Sequence, residues 1–209
     1  MTSLFIDTSH HLNLGLLDDR YEWIEYFEKQ ETKNSSLLHG KIFEICSNAK
    51  VSVKDIKNIF LNLGPGSYTG IRIAEGIGQI FNIAAINSFS FYHFDIPLAL
   101  HVEKGIWLSK AFKGEYFVFQ WDEKKKESCL KSENEIRNLL KDAVKTEFQI
   151  FTNCVESIDV LDCPIVETSR LTKDFSYKIF SSFEKGRILR SPYYYRSLEE
   201  EFTVSFPDY

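Results

Sequence analysis

The stretch Leu63-Gly64-Pro65-Gly66-Ser67-Tyr68-Thr69-Gly70-Ile71-Arg72-Ile73 decides how this chain is read. Before it, Asn58 to Leu63 is a mostly apolar run that reads as a strand; after it, Ile73, Ala74, Ile77, Ile80, Phe81 and Ala84 recur at helical spacing. A strand, a glycine loop and a helix can hold phosphate, because glycines expose backbone N–H groups and a helix N-terminus carries partial positive charge. The spacing excludes the familiar versions. A Walker A loop needs Lys-Ser/Thr after its last glycine, where this chain has Ile71-Arg72. A dinucleotide fingerprint needs G-x-G-x-x-G, but Gly64, Gly66 and Gly70 are spaced G-x-G-x-x-x-G. A nucleophile elbow needs glycines two residues either side of its serine, and Ser67 has Pro65 and Thr69 there. What remains is a structural turn. Pro65 fixes one dihedral, Gly66 is free to take a positive one, and Ser67 or Thr69 caps the helix.

Outward from the loop, the first hundred residues alternate strands and helices. Ser3 to Ile6, Asn13 to Leu17 and Tyr21 to Phe27 read as a three-stranded meander. Leu38, Ile42, Ile45, Cys46 and Ala49 then share one face of a helix that Asn34 and the following serines can cap. Ser52 to Asp55 has capping-box spacing with Asp in place of Glu. The pattern changes near Pro97, so a domain boundary is expected near residue 100. Beyond it, Gly105 to Phe112 and Glu115 to Trp121 form a hairpin around Lys113-Gly114. Asp122 to Glu127 reads as a solvated turn, Glu133 to Lys145 as a helix, Gln149 to Thr152 as a strand, and Asp174 to Lys185 as the last helix.

With 25 basic and 30 acidic side chains among 209 residues the net charge is -5, so the whole chain offers no cationic field to nucleic acid. No apolar run approaches the roughly 20 residues of a membrane-spanning helix, and the expected address is the cytoplasm. Cys46, Cys129, Cys154 and Cys163 lie far apart and read as reduced core thiols. His10-His11 read as solvent-exposed turn residues, since neighbours on an extended segment point to opposite sides. His39, His93 and His101 have no metal-ligand spacing around them. The aromatic runs Phe89 to Phe94 and Tyr193 to Tyr195 read as core or interface, and Arg187, Arg190 and Arg196 as a local basic strip that leaves a minor nucleic-acid contact open.

The glycine loop resembles the G-P-G-S-[FY]-T-G-[LIV]-R-[IV] signature of the TsaB (YeaZ) family. Three more segments agree in order and distance. Phe5-Ile6-Asp7-Thr8-Ser9 is similar to that family's opening I-D-T-[AS], Lys113-Gly114-Glu115-Tyr116 to its central R-x-G-E-[VI]-Y, and Pro192-Tyr193-Tyr194-Tyr195-Arg196 to its P-x-Y-[LV]-R. The chain departs from the pattern at Asn34, where a histidine often precedes the first helix, and at Ser109-Lys110-Ala111-Phe112, which lacks the usual acidic and arginine residues.

The resemblance implies an α/β fold of the two-lobed actin, Hsp70 and sugar-kinase (ASKHA) type, with residues 1–100 as the first lobe and 101–209 as a degenerate second. Asp7 and Thr8 match the turn that handles metal and phosphate in active superfamily members. The second lobe has no D-x-G or glycine-rich partner, so the implied cleft is degenerate, with no catalytic residue, cofactor or metal. The implied role is a non-catalytic scaffold that binds and activates a TsaD-type subunit for threonylcarbamoyl transfer to adenosine beside the tRNA anticodon. A TsaE-type ATPase completes the assembly, tRNA is met only indirectly, and the chain alone is a homodimer. The partner surface is expected on two first-lobe helices, at Leu37, Leu38 and Ile45 and at Arg72, Ile73, Ala74, Gly76, Ile77 and Ile80, with Ala74, Gly76 and Gly78 admitting close approach. The rivals are an active ATP-dependent phosphotransferase using Asp7, and a homodimeric interaction protein without a tRNA role.

Overall fold

The computed structural model describes residues 1–29, 38–111, 114–158 and 163–195. In chain order the first half runs β1 (Thr2–Asp7), β2 (Leu12–Leu17), β3 (Trp23–Lys29), α1 (Leu38–Asn48), β4 (Ile56–Asn62), α2 (Tyr68–Ile83), β5 (Asn87–Phe91) and α3 (Asp95–Ala99). The second half runs β6 (Gly105–Lys110), β7 (Glu115–Trp121), β8 (Lys126–Ser132), α4 (Glu133–Lys145), β9 (Gln149–Thr152), β10 (Val166–Glu167), α5 (Thr168–Asp174) and α6 (Ser176–Lys185).

Two five-stranded sheets repeat one topology. In the first, β1, β2 and β3 pair antiparallel, β4 and β5 add parallel to β1, and the order is β3-β2-β1-β4-β5. In the second, β6, β7 and β8 pair antiparallel, β9 and β10 add parallel, and the order is β10-β9-β6-β7-β8. Parallel strands are buried on both faces, and β1 and β4 accordingly bury nearly every side chain, polar ones included.

Side chains alternate between two cores. Leu4, Ile6, Ile59 and Leu61 meet Leu38, Ile42 and Ile45 of α1 and Ile71, Ala74 and Ile77 of α2. Phe5, Phe60, Phe89 and Phe91 point the other way and meet Ile179, Phe180 and Phe183 of α6. The last helix among the described residues thus closes the first sheet. In the second sheet, Ile106, Leu108, Val118 and Ile150 pack under Ile136, Leu140 and Ala143 of α4. Trp107, Phe117, Trp121 and Phe151 fill its opposite face, joined by Phe94 from the first half.

Three readings change. Lys126–Ser132 is a strand where a solvated turn was expected to run to Glu127, because β8 is a sheet edge whose charged, exposed side chains hide the apolar alternation. Cys129 lies on that edge and is exposed, unlike Cys46 and Cys154, while Cys163 is half-buried. The positive φ of the glycine loop falls on Gly64 (+110°), not Gly66, and the Gly64–Pro65 peptide is cis. Of the two proposed caps it is Ser67 that acts, its Oγ accepting from Gly70 N at 3.4 Å. The Ser52–Asp55 capping box forms as read, on a single 3-10 turn.

Candidate functional site

The carboxyl ends of the parallel strands of both sheets meet at one seam, the place where open α/β sheets build their sites. Asp7 ends β1, and its side chain is almost wholly taken up inside the protein. Oδ1 accepts from Ser9 N (2.9 Å) and Ser9 Oγ (2.7 Å), and Oδ2 accepts from Asn62 Nδ2 (3.1 Å), at the end of β4. With the Ser9 hydroxyl donating to Asp7, its oxygen is left to accept from His93 Nε2 at 2.6 Å. That assigns the His93 proton to Nε2 and leaves Nδ1 to accept from Asn62 Nδ2 (3.1 Å) or Thr168 Oγ1 (3.0 Å). Thr168 belongs to the second half, so the network crosses the seam. The His93 ring stacks on Trp107 at 5.5 Å, and burial holds its pKa below the ordinary histidine value, with Asp7 opposing.

The glycine loop is pressed onto the turn after β1. A Cβ at Gly70 would collide with the Thr8 carbonyl, and Thr8 Oγ1 donates to Gly70 O at 2.6 Å. Ser67 N donates to Ser9 O at 2.6 Å, and Gly64 N to Asn62 Oδ1 at 3.0 Å. The amides of Gly64, Ser67 and Gly70 are therefore engaged within the chain, so they form no open anion cradle. Gly64 also carries the carboxyl-terminal segment: Tyr193 N donates to Leu63 O at 2.9 Å, and a Cβ at Gly64 would lie 2.5 Å from Tyr193 O. Three of the four motif segments read from the sequence thus touch one another.

The residues expected on the partner surface divide into two sets. Leu38, Ile45, Ala74 and Ile77 are buried in the chain's own core, and Gly78 sits against Leu61. Arg72 and Ile80 face outward, Ile73 and Gly76 are half-buried, and nothing lies within 4 Å of a Cβ placed on Gly76. Arg72 Nη1 is paired with Glu75 at 2.8 Å, and its guanidinium lies 5.6 Å from the ring centres of Tyr68 and Tyr194. Leu37 lies outside the described residues, as do Asn34 and Arg196. Sequence reasoning missed two exposed apolar side chains, Phe43 (72% exposed) on α1 and Ile83 (88%) at the end of α2. Of the basic strip, Arg190 is bound in a fork by Asp95, through Nη2 at 2.8 Å and Nε at 3.1 Å.

His93 is the other missed residue. A lone histidine in an aromatic run carries no motif spacing; its only signal is its place just after a parallel strand. His10 and His11 also depart from their reading. They sit in a bend, not an extended segment, and their rings lie together with centroids 4.3 Å apart, both half-buried. Burial, then the neighbouring His11, lowers the His10 pKa.

The repeated topology and the seam between the two sheets define a two-lobed α/β protein of the actin, Hsp70 and sugar-kinase type. Two solved structures share this fold. One is a Pseudomonas aeruginosa protein described as similar to the peptidase YeaZ, at TM-score 0.64 and 16% identity over 93% of this chain and 99% of that one. The other is YeaZ from Pseudomonas aeruginosa, at TM-score 0.59 and 16% identity over 89% and 93%. A curated relative, the tRNA threonylcarbamoyladenosine biosynthesis protein TsaB of Buchnera aphidicola subsp. Schizaphis graminum, is 32% identical over 84 residues. That match spans 39% of this chain and 39% of the relative's length. No family model matches the chain. The chain is thus similar to a TsaB protein over one 84-residue segment and shares the fold of the YeaZ structures.

Proposed function

We propose that this chain serves tRNA threonylcarbamoyladenosine biosynthesis as a non-catalytic subunit that binds and activates a TsaD-type partner. The observation that carries the reading is the division of α2 into two faces. Ile71, Ala74 and Ile77, with Ile73 at their edge, hold the helix to its own sheet, leaving Gly76, Ile80 and Ile83 as an outward stripe at successive helical spacings. Phe43 on α1 is exposed as well, and exposed apolar side chains of this kind favour a protein partner. The packing at Asp7 supports the absence of phosphoryl transfer: its carboxylate and the amides of Gly64, Ser67 and Gly70 are already hydrogen-bonded within the chain, leaving little there to receive a phosphate. We take the sheets within residues 1–100 and 101–209 as the two lobes, α6 returning from the second stretch to cover the first sheet, with the partner on the first lobe. Among the described residues no helix is long and apolar enough to cross a membrane.

The test is copurification with the TsaD-type protein of the same organism, followed by a threonylcarbamoylation assay with and without this chain. The Ile80→Asp, Ile83→Asp double variant is expected to lose both copurification and activation. Undiminished tRNA modification without the chain would overturn the reading. The rival phosphotransferase keeps one observation in its favour, an aspartate at the carboxyl end of a parallel strand beside a glycine loop. Calorimetry with ATP and magnesium decides it, micromolar binding with hydrolysis reviving that rival.

A further inference from the structure

His10, His11 and Cys154 each point one ligating atom into a common space, and these atoms all lie within 4.8 Å of one another. The three come from different lobes. The histidines occupy the bend after β1 of the first sheet, and Cys154 follows β9 of the second. His11 Nδ1 is shut off from solvent and has no hydrogen-bond partner among the described residues, an arrangement that leaves a lone pair or a proton unanswered. The Cys154 thiol is buried and donates to Glu156 Oε2 at 3.2 Å.

We propose that this cluster is a transition-metal site, with zinc as its ion. Two imidazoles and a thiolate are borderline-to-soft donors that suit zinc and disfavour magnesium or calcium. Zinc with nitrogen ligands near 2.0 Å and sulfur near 2.3 Å holds its donors roughly 3.3–3.8 Å apart, so side-chain rotations that close about 1 Å assemble the site. The Glu156 carboxylate stands beside the sulfur and orients a water in the fourth position. Binding releases one proton, that of the Cys154 thiol, to solvent, and the charge of the ion then offsets the thiolate and Glu156. Because its ligands straddle the seam, the ion ties the turn after β1 to the turn after β9.

The probe is cobalt(II), added to the full chain after treatment with a chelator. One equivalent per chain is expected, giving a thiolate-to-cobalt charge-transfer band in the near ultraviolet and the intense visible bands of tetrahedral cobalt, both lost on adding one equivalent of zinc. Cys154→Ser is expected to abolish the charge-transfer band and weaken zinc binding at least about 100-fold, with Glu156→Gln weakening it roughly 10–100-fold. Cys129→Ser, at an exposed cysteine on the far edge of the second sheet, is expected to leave both unchanged. The spectrum of the unaltered chain decides the matter even where a variant fails to fold. Absence of a charge-transfer band there overturns the site, as does a band that survives Cys154→Ser.

Discussion

At the residue scale the seam makes two demands, one steric and one electrostatic. Gly70 lies so close to the Thr8 carbonyl that a methyl group there must displace backbone, so Gly70→Ala is expected to cost about 1–3 kcal/mol in urea denaturation. Gly76→Ala, one and a half turns along the same helix with open space around it, is expected to stabilise by a few tenths to about 1 kcal/mol. His93 supplies the electrostatic case. Burial lowers its pKa in the folded chain below the 6.5 of an unfolded histidine, so below that pH the unfolded chain takes up a proton the folded chain refuses. The stability is therefore intact above pH 6.5 and falls as the pH drops below it, with a slope of up to about 1.4 kcal/mol per pH unit from this residue. His93→Asn is expected to be less stable at pH 7.5 and to show a shallower decline between pH 7 and 5. A decline of unchanged slope would assign the effect to His10, whose pKa is lowered too.

Elements show where a sequence speaks and where it falls silent. The helical spacing of Ile73, Ala74, Ile77 and Ile80 was plain, and α2 forms where it was read. Its orientation was not legible, because a helix apolar on two sides carries no record of which side meets the sheet. Only the packing of Ala74 and Ile77 beneath it, against Ile80 and Ile83 outside, settles the question. β8 was illegible for the opposite reason, its charges masking a strand that a sheet edge requires. Asp7 and the glycine loop were legible as chain landmarks. The surroundings of Asp7 were not, since Asn62 reaches it from 55 residues away and His93 bonds to its neighbour Ser9 from 84 residues away in sequence. The two faces of α2 give a paired prediction. Ile80→Asp is expected to leave the urea midpoint within about 0.5 kcal/mol of the parent, as surface changes do, while blocking the partner. Ala74→Asp places an unpaired charge in a closed core and is expected to prevent folding, as judged by circular dichroism.

On the scale of the whole molecule the two sheets repeat one plan, yet the chain does not divide cleanly where the sheets do. Phe180 of α6 is fully buried against the first sheet, its ring 4.7 Å from that of Phe60 and 5.6 Å from that of Phe5. The segment after α6 continues the attachment: Ser90 N donates to Ile188 O at 3.2 Å, and Arg190 N to Ser90 O at 3.1 Å. A fragment ending near residue 100 therefore loses the cover of one sheet face and exposes Phe5, Phe60, Phe89 and Phe91 together. Burying a single phenylalanine is worth about 1.5–3 kcal/mol, so four of them exceed a large part of the stability of a domain this size. Residues 1–100 alone are expected to aggregate or to unfold without a cooperative transition, and residues 1–195 to unfold with one. Phe180→Ala in the full chain is expected to cost about 3–5 kcal/mol. A soluble 1–100 fragment with a sharp urea transition would mean that α1 and α2 suffice for the first lobe, and that α6 is merely docked on a finished fold.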